Sequence, residues 1–195
     1  MKSYQRLLTV IGVLVSVFFA QPVATIGSES AKSGQSCYPV NDATPHQSRL
    51  NAFWGLNVRV CGDNSLNGAM AYRQSATVII DPQWMLNMGQ QFGSWAPVGI
   101  LAHEWGHVVQ NTPSGTAAEL QADCLAGVFM RGAGLSVNAV QQFASANFLA
   151  GDGHWSPTGH GTGQQRVTAA LRGFQGFQPN MNQYQLLTLC PASAF

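Results

Sequence analysis

The distribution of apolar and polar residues divides the chain into three parts: an apolar run near the N-terminus, a middle part with short strand-like runs, and a C-terminal half with helical periodicity. In the middle part, residues 57–61, 69–72 and 76–80 are short apolar or alternating runs that end at turn residues, and they predict three strands. The third run is rich in valine and isoleucine and is the most strand-like. The rest of residues 37–66 is predicted to be irregular, because proline, glycine and asparagine interrupt it repeatedly.

The C-terminal half predicts four helices, because apolar residues recur there every three or four positions between residues that start and stop helices. Their predicted bounds are residues 96–111, 117–131, 137–150 and 163–172. Ser94, Thr116 and Ser136 are the expected N-caps of the first three helices. No internal repeat and no linker divides the chain. We therefore expect one α+β domain in which a small β-sheet packs on a helical core.

Residues 1–24 have the layout of a secretory signal peptide. Lys2 and Arg6 precede an uncharged apolar run that is shorter than the roughly 20 residues a membrane-spanning helix needs. An uncleaved N-terminal anchor stays open as the alternative. Residues 25–36 are small and polar and predict a flexible lead-in, and residues 37–195 are the expected folded domain. The protein is thus expected to be secreted or to lie in the periplasm or cell envelope, and membrane-bound only if the N-terminal segment is retained.

Charged residues are scarce, and this excludes several functions. Nine Lys or Arg and eight Asp or Glu make up 9% of the chain, whereas a typical soluble domain has about 25%. Nine scattered basic residues cannot form the basic stripe by which a protein binds nucleic acid. An apolar fraction of 46% excludes a disordered, charge-solvated chain. Because acidic residues are so few, their positions become informative.

A His-Glu-x-x-His motif lies in the first predicted helix, at His103, Glu104 and His107. Residues four apart on an α-helix share one face, so both imidazoles can bind one metal ion. Glu104 is rotated by about 100° from His103, which suits it to deprotonate a water on the metal, as in a zinc peptidase. Gly106 inside this helix indicates the close approach of another backbone or a substrate. The alternative is that the motif is an ordinary polar face of the helix.

Two acidic residues in the second predicted helix, Glu119 and Asp123, could complete the site. The loop before this helix is short enough to fold it back against the first helix, with Glu119 as the third metal ligand. Asp123, one turn further on, could accept a hydrogen bond from the far ring nitrogen of a histidine ligand. The alternatives are a capping box between Thr116 and Glu119 and a solvent-facing Asp123.

Three blocks of sequence together resemble the neutral zinc metallopeptidases of bacteria. They are residues 101–110 (LAHEWGHVVQ), 119–127 (ELQADCLAG) and 160–166 (HGTGQQR), within a likeness that covers roughly residues 55–178. The resemblance implies a zincin-type fold with zinc bound by His103, His107 and Glu119. It also implies that Glu104 is the general base and that Asp123 supports a ligand from behind. Members of this family typically have an N-terminal membrane segment.

Four cysteines follow the N-terminal segment: Cys37, Cys61, Cys124 and Cys190. An even number in an exported chain favours two disulfides, for which three pairings are possible. We favour Cys37–Cys61 with Cys124–Cys190, and the alternative for Cys124 is a buried, unpaired thiol. The family typically has two cysteines before the active helix, and this chain departs from it: Cys61 matches the first, the second position near Tyr72 is not cysteine, and Cys37 is the replacement partner.

A hydrolytic zinc site also needs a donor to the negative charge that develops on the carbonyl oxygen. His160 is expected in this role, ahead of His154 and Tyr72, because it belongs to the third block of the resemblance. The alternative is that His160 is a loop histidine that caps the fourth helix.

Two further features near the site have open alternatives. Arg166 is expected to pair with a carboxylate, either Asp123 or Asp152. Residues 76–80 either form an edge strand that lines the cleft, where an extended peptide could pair with it, or form a core strand.

Together these features predict an exported zinc-dependent metalloendopeptidase, in which Glu104 activates a zinc-bound water and the substrate is a peptide or protein. Zn²⁺ is the expected cofactor, and no nucleic-acid partner is expected. One alternative is a non-catalytic secreted or envelope binding protein that zinc stabilises on the same scaffold. Another is a metal-free structural domain.

Overall fold

The computed structural model describes residues 39–110 and 112–195, so the predicted signal peptide, the lead-in and Cys37 lie outside the described residues. The described part is a mixed α+β fold, which confirms the predicted fold class. The helices are α1 (Thr44–Trp54), α2 (Pro82–Phe92), α3 (Ala96–Val109), α4 (Thr116–Gly132), α5 (Val137–Ala150), α6 (Gly163–Gly176) and α7 (Gln183–Leu189). The strands are β1 (Arg59–Gly62), β2 (Ala69–Tyr72) and β3 (Thr77–Ile80). Among these described helices, none has the length and apolarity needed to span a membrane.

The three strands form one small sheet in the order β1-β3-β2, with β1 parallel and β2 antiparallel to β3. Every residue of β3 is β-branched and buried, as expected of a strand that is paired on both sides. Of the two alternatives for residues 76–80, the core strand is therefore correct and the edge strand is wrong. The sheet edge next to the helical core belongs to β2, which packs against α3.

Three helices lie where the sequence predicted none, and each begins with residues that are also typical of turns. α1 lies inside the segment predicted to be irregular, and Pro45 occupies its first turn, where a missing N–H breaks no helical hydrogen bond. Asp81 is the N-cap of α2 and accepts two backbone N–H groups of its first turn. α7 begins with a capping box between Asn182 and Gln185. Proline, aspartate and asparagine thus mark helix starts here and not only loops.

Of the three predicted N-caps, only Ser136 is confirmed, since its side chain accepts a backbone N–H of α5. The prediction for Ser94 is wrong, because α3 begins without a side-chain cap. The prediction for Thr116 is also wrong. Gly115 is the N-cap of α4, with a φ of 107° that favours glycine, and Thr116 is the first helical residue.

The three helices that carry the predicted site pack closely because glycines lie at their contacts. A Cβ atom at Gly106 of α3 would lie 2.8 Å from Cα of Ala122 in α4. Gly127 of α4 and Gly173 of α6 likewise each face the backbone of the other helix. The predicted close approach at Gly106 is therefore confirmed, and the approaching group is a helix backbone.

A disulfide joins Cys124 in α4 to Cys190 just after α7, as predicted. Both residues are fully buried, and the alternative of an unpaired Cys124 is wrong. Gln121 of α4 also donates to the Cys190 carbonyl oxygen at 2.7 Å. The C-terminal segment is thus held to the helix that carries two of the predicted site residues. Cys61 is disulfide-bonded as well, whereas its predicted partner Cys37 lies outside the described residues.

Candidate metal centre

His103 and His107 lie one turn apart on α3, and both side chains are buried. Their Nε2 atoms are 3.0 Å apart, and the two ring planes are nearly perpendicular, at 89°. α3 packs against α4, α5 and β2, so this face of the helix is enclosed by the protein. The two imidazoles therefore present their Nε2 atoms to one small space, as their spacing in the sequence predicted.

The Glu119 carboxylate lies against both histidine rings. Its Oε2 is 3.3 Å from Nε2 of His103, and its Oε1 is 3.5 Å from Nε2 of His107. In a tetrahedral site with zinc–ligand bonds of about 2.0–2.1 Å, neighbouring ligand atoms lie about 3.3 Å apart. The distances in this triangle, 3.0, 3.3 and 3.5 Å, bracket that value. The three residues predicted as ligands are thus brought together in an arrangement that could hold a metal ion.

Glu119 can face the histidines because it takes no part in a capping box. The Thr116 hydroxyl lies instead against the backbone carbonyls of Ser156 and Gly159, in the loop between α5 and α6. The backbone N–H of Glu119 is satisfied by the carbonyl of Gly115 at 3.1 Å. The capping-box alternative for Thr116 and Glu119 is therefore wrong.

Asp123 is completely buried and is contacted by three side chains, so the solvent-facing alternative is wrong. The Arg166 guanidinium donates to both carboxylate oxygens, from Nε to Oδ2 at 2.8 Å and from Nη2 to Oδ1 at 3.0 Å. Asn147 donates to Oδ1 at 2.6 Å. Nδ1 of His103 lies 2.7 Å from Oδ1. Asp123 therefore lies behind His103 and, of the two predicted carboxylates, is the one that pairs with Arg166. Nη2 of Arg166 also lies 3.7 Å from Oε2 of Glu119.

Without a metal ion, the protons of this cluster are unevenly distributed. Burial alone would lower the pKa of His103, but the carboxylates of Asp123 and Glu119 raise it to about 10. Burial and the neighbouring His103 charge lower the pKa of His107 to about 3. Burial would raise the pKa of Glu119, but the two histidines and Arg166 lower it to about 2. A metal ion that binds here must displace a proton from His103, because ligand nitrogens bind metals in their unprotonated form.

Glu104 lines the same small cavity as the three ligand side chains. The cavity measures about 70 Å³, which is room for about two water molecules. Burial raises the pKa of Glu104 to about 7. The other walls are mostly apolar and are formed by Ala69, Trp84, Met88, Ile100, Ala146 and Ala150. Glu104 therefore borders the space next to the three candidate ligands.

His160 also lines this cavity, from the loop between α5 and α6. Its backbone N–H donates to Oδ2 of Asp152 at 2.6 Å, and its Nδ1 lies 3.5 Å from Oδ1 of the same residue. The N-cap of α6 is Thr162, so the alternative that His160 caps this helix is wrong. Of the other candidates for an oxyanion donor, His154 is exposed, and neither His154 nor Tyr72 is among the described residues that line the cavity.

Sequence reasoning missed two buried polar residues next to the site, Gln110 and Asn147. Nε2 of Gln110 lies 2.7 Å from Nδ1 of His107, and its position three residues after His107 was the available signal. Asn147 is a lone amide among the buried apolar residues of α5. A buried amide needs a hydrogen-bond partner, so its place in that stripe pointed to a polar neighbour, which is Asp123.

Comparisons of the chain with protein-family models, with curated proteins and with solved structures found no match. What the structure defines is an α+β fold with a buried cluster of His103, His107 and Glu119 that could hold a metal ion. The identity of the ion and the activity must therefore be inferred from the geometry and chemistry of this site.

Proposed function

We propose that the protein is a zinc-dependent metalloendopeptidase with a zincin-type fold, similar to the neutral zinc metallopeptidases of bacteria. The observation that carries the proposal is the triangle of His103, His107 and Glu119, which has the dimensions of a zinc site and shares a cavity with Glu104. Structural zinc sites have four protein ligands, whereas catalytic sites have three and keep one position open. Three ligands beside a cavity therefore favour a catalytic site.

Zn²⁺ suits this donor set better than the harder divalent ions. Two imidazoles with one carboxylate are typical zinc ligands, whereas Mg²⁺ and Ca²⁺ prefer oxygen ligands. His103, His107 and Glu119 would hold the ion, and Asp123 would keep the His103 ring in position. When bound, zinc supplies a Lewis acid that polarises a carbonyl group and lowers the pKa of water.

Glu104 would act first as general base and then as general acid. Its carboxylate takes a proton from water as the water oxygen bonds to the carbonyl carbon of the scissile peptide. It then gives this proton to the leaving amine as the C–N bond breaks. Burial raises the pKa of Glu104 to about 7 in the metal-free cluster. The positive charge of a bound zinc ion would lower this pKa, so the carboxylate would be ionised and able to accept a proton at neutral pH. His160, on the same cavity, would donate a hydrogen bond to the oxygen on which negative charge develops.

We also propose that the protein acts outside the cytoplasm. The N-terminal segment has the layout of a signal peptide, and disulfides such as Cys124–Cys190 persist in oxidising compartments. N-terminal sequencing of the exported protein distinguishes a cleaved signal peptide from a retained anchor.

The substitution Glu104→Gln tests the proposed activity. The amide keeps the size of the side chain but cannot accept a proton. Zinc content should therefore stay unchanged while the rate of casein hydrolysis falls by about 10²–10⁴-fold. Zinc is measured by elemental mass spectrometry of the purified protein. Hydrolysis is measured by the release of fluorescent peptides from labelled casein, with and without a chelator.

Asp42→Asn is the matched control, because it removes an exposed carboxylate outside the site and should leave the rate unchanged. Hydrolysis by Glu104→Gln at the wild-type rate would contradict the mechanism. Zinc binding without hydrolysis of any tested peptide by the wild type would indicate the non-catalytic binding protein. Equal zinc content in wild type and His107→Ala would exclude the metal site.

A further inference from the structure

The two histidines of the site are supported in different ways. Nδ1 of His103 lies against the carboxylate of Asp123, whereas Nδ1 of His107 lies against the side-chain amide of Gln110. Gln110 follows directly after α3 and is only 1% exposed. Its backbone N–H donates to the Gly106 carbonyl at 2.9 Å, which fixes the residue at the end of the helix. The Gln110 side chain is therefore enclosed next to His107.

The orientation of the Gln110 amide has a chemical consequence. Its Nε2 is the atom that lies 2.7 Å from Nδ1 of His107. Its Oε1 is buried and has no hydrogen-bond donor among residues 39–110 and 112–195. A neutral imidazole that binds a metal through Nε2 carries its proton on Nδ1. The amide Nε2 is also a donor, so two N–H groups would face each other once His107 bound an ion.

We propose that Gln110 is a positioning residue that accepts the Nδ1–H of His107 through Oε1 when a metal ion binds. Rotation of the terminal amide by 180° exchanges Nε2 and Oε1 with almost no change in shape. The rotation moves Oε1 from a place without a donor among the described residues to a place with one. The resulting hydrogen bond holds the ring and its tautomer, as acceptors behind metal-bound histidines generally do. This inference rests on the metal site of the proposed function.

Two substitutions distinguish a hydrogen-bond acceptor from a side chain that only fills space. Gln110→Glu keeps an acceptor of the same size, whereas Gln110→Met keeps the length but removes the acceptor. We expect Gln110→Met to weaken zinc affinity by about 10–100-fold and Gln110→Glu to bind zinc at least as tightly as the wild type. Affinity is measured by competition with a chromophoric chelator. If Gln110 only filled space, the buried charge of glutamate would be the more harmful change, so tighter binding by Gln110→Met than by Gln110→Glu overturns the inference.

Gln142→Met is the matched control. Gln142 also accepts a hydrogen bond at an end of α3, from the backbone N–H of Trp95 at 2.9 Å, but it does not belong to the described lining of the cavity. Its substitution should leave zinc affinity unchanged, and a loss as large as that of Gln110→Met overturns the inference.

Nitrogen-15 NMR of the histidine rings in the zinc-loaded wild-type protein gives a readout that needs no variant. Nδ1 of His107 should carry a proton that exchanges slowly with water, and this exchange should be faster in Gln110→Met. An Nδ1 without a proton overturns the role of Gln110 but leaves the metal site in place. If the wild type binds no zinc, the proposed function and this inference fail together, whereas zinc binding that is indifferent to residue 110 overturns only the inference.

Discussion

Two parts of the cavity wall are held together in different ways. On one side, α3, α4 and α6 place the three candidate ligand side chains and the Asp123–Arg166 pair inside the core, where the side chains of this pair are 0% and 3% exposed. On the other side, the loop between α5 and α6 carries His160, and the side chains of His160 and Asp152 are 17% and 34% exposed. The helical wall depends on buried charges and on contacts between helix backbones. The loop wall depends on hydrogen bonds close to solvent.

This difference determines what each wall loses when one contact is removed. A buried charge whose partner is gone cannot be solvated, so removing one contact on the helical wall lowers the free energy of unfolding strongly. A polar group near the surface can form a hydrogen bond with water instead, so removing one contact on the loop wall lowers the free energy of unfolding only slightly. We therefore expect the helical wall to control stability and metal binding. The loop wall should control mainly the position of His160.

The strongest test of this contrast removes the Arg166 guanidinium. Arg166→Met leaves Asp123 buried without its cation, and we expect the free energy of unfolding at pH 7 to fall by about 3–5 kcal/mol. Burial would raise the pKa of Asp123, but the Arg166 charge holds it below its usual range. A lowered pKa stabilises the fold only where the carboxyl group is ionised in the unfolded chain. The deficit should therefore shrink as the pH falls below about 4.

Urea unfolding of the metal-free proteins at pH 7 and pH 3, followed by circular dichroism, measures both effects. Arg172→Met is the matched control on the same helix, because Arg172 is exposed and donates to the Leu189 carbonyl. It should cost no more than about 0.5 kcal/mol. Equal losses in the two variants would abolish the distinction between buried and exposed contacts. A deficit that does not change with pH would show that Arg166 stabilises neither Asp123 nor Glu119, whose Oε2 lies 3.7 Å from Nη2 of Arg166.

A second test crowds the contact between α3 and α4. A Cβ at Gly106 would meet Cα and the carbonyl oxygen of Ala122 at 2.8 and 2.9 Å, and a helix backbone cannot move aside locally. We expect Gly106→Ala to destabilise the protein by about 1–3 kcal/mol, although alanine itself favours a helix by about 1 kcal/mol. Zinc affinity should fall as well, because the histidines move relative to Glu119.

Gly153→Ala is the control for this test, since nothing lies within 4 Å of a Cβ at that position. The same urea unfolding and chelator competition apply to both variants. If the two alanines were equally tolerated, α3 and α4 could separate without cost, and the close approach would have no role in the metal centre.

The two walls also differ in how far the sequence predicts them. The common face of His103 and His107 is a property of a single helix, so their spacing alone predicts it. Predicting that Glu119 lies next to them needs one further assumption, namely that the short loop between α3 and α4 folds the two helices against each other. The contact of Thr116 with Ser156, in contrast, joins residues 40 positions apart. No local sequence pattern predicts such a contact. The capping-box pattern, which applies to threonine at the start of a helix, indicated Glu119 as the partner of Thr116 instead.

The same reasoning explains the errors in the fold. α3 and α4 bury most of their residues, and their sequences are accordingly rich in apolar residues. α1 buries only Leu50 and Trp54, so its sequence shows almost no helical periodicity of apolar residues. The strand character of residues 76–80 follows from their β-branched residues. Their central place in the sheet depends on pairing with β1 as well as β2, which is a long-range property that composition does not contain.

The smallest effect is expected where the loop wall contacts α4, at Thr116. Thr116→Val keeps the shape of the side chain but removes the hydroxyl that lies against the Ser156 and Gly159 carbonyls. These carbonyls can turn to water, so we expect a loss of only about 1 kcal/mol in the free energy of unfolding. Zinc affinity should not change. Amide hydrogen exchange in residues 151–162 should become faster, and kcat/KM should fall because His160 is less well held.

Thr168→Val supplies the comparison, because its hydroxyl donates to the Gln164 carbonyl on the exposed side of α6. It should leave exchange in residues 151–162 and kcat/KM unchanged. The three measurements must be taken together. If the loop wall is independent of the metal centre, Thr116→Val shows faster exchange and a lower kcat/KM while zinc stays bound. If Thr116→Val released zinc, the loop would be part of the metal centre itself. The start of α4 would then transmit every movement of the loop to Glu119, three residues further along the same helix.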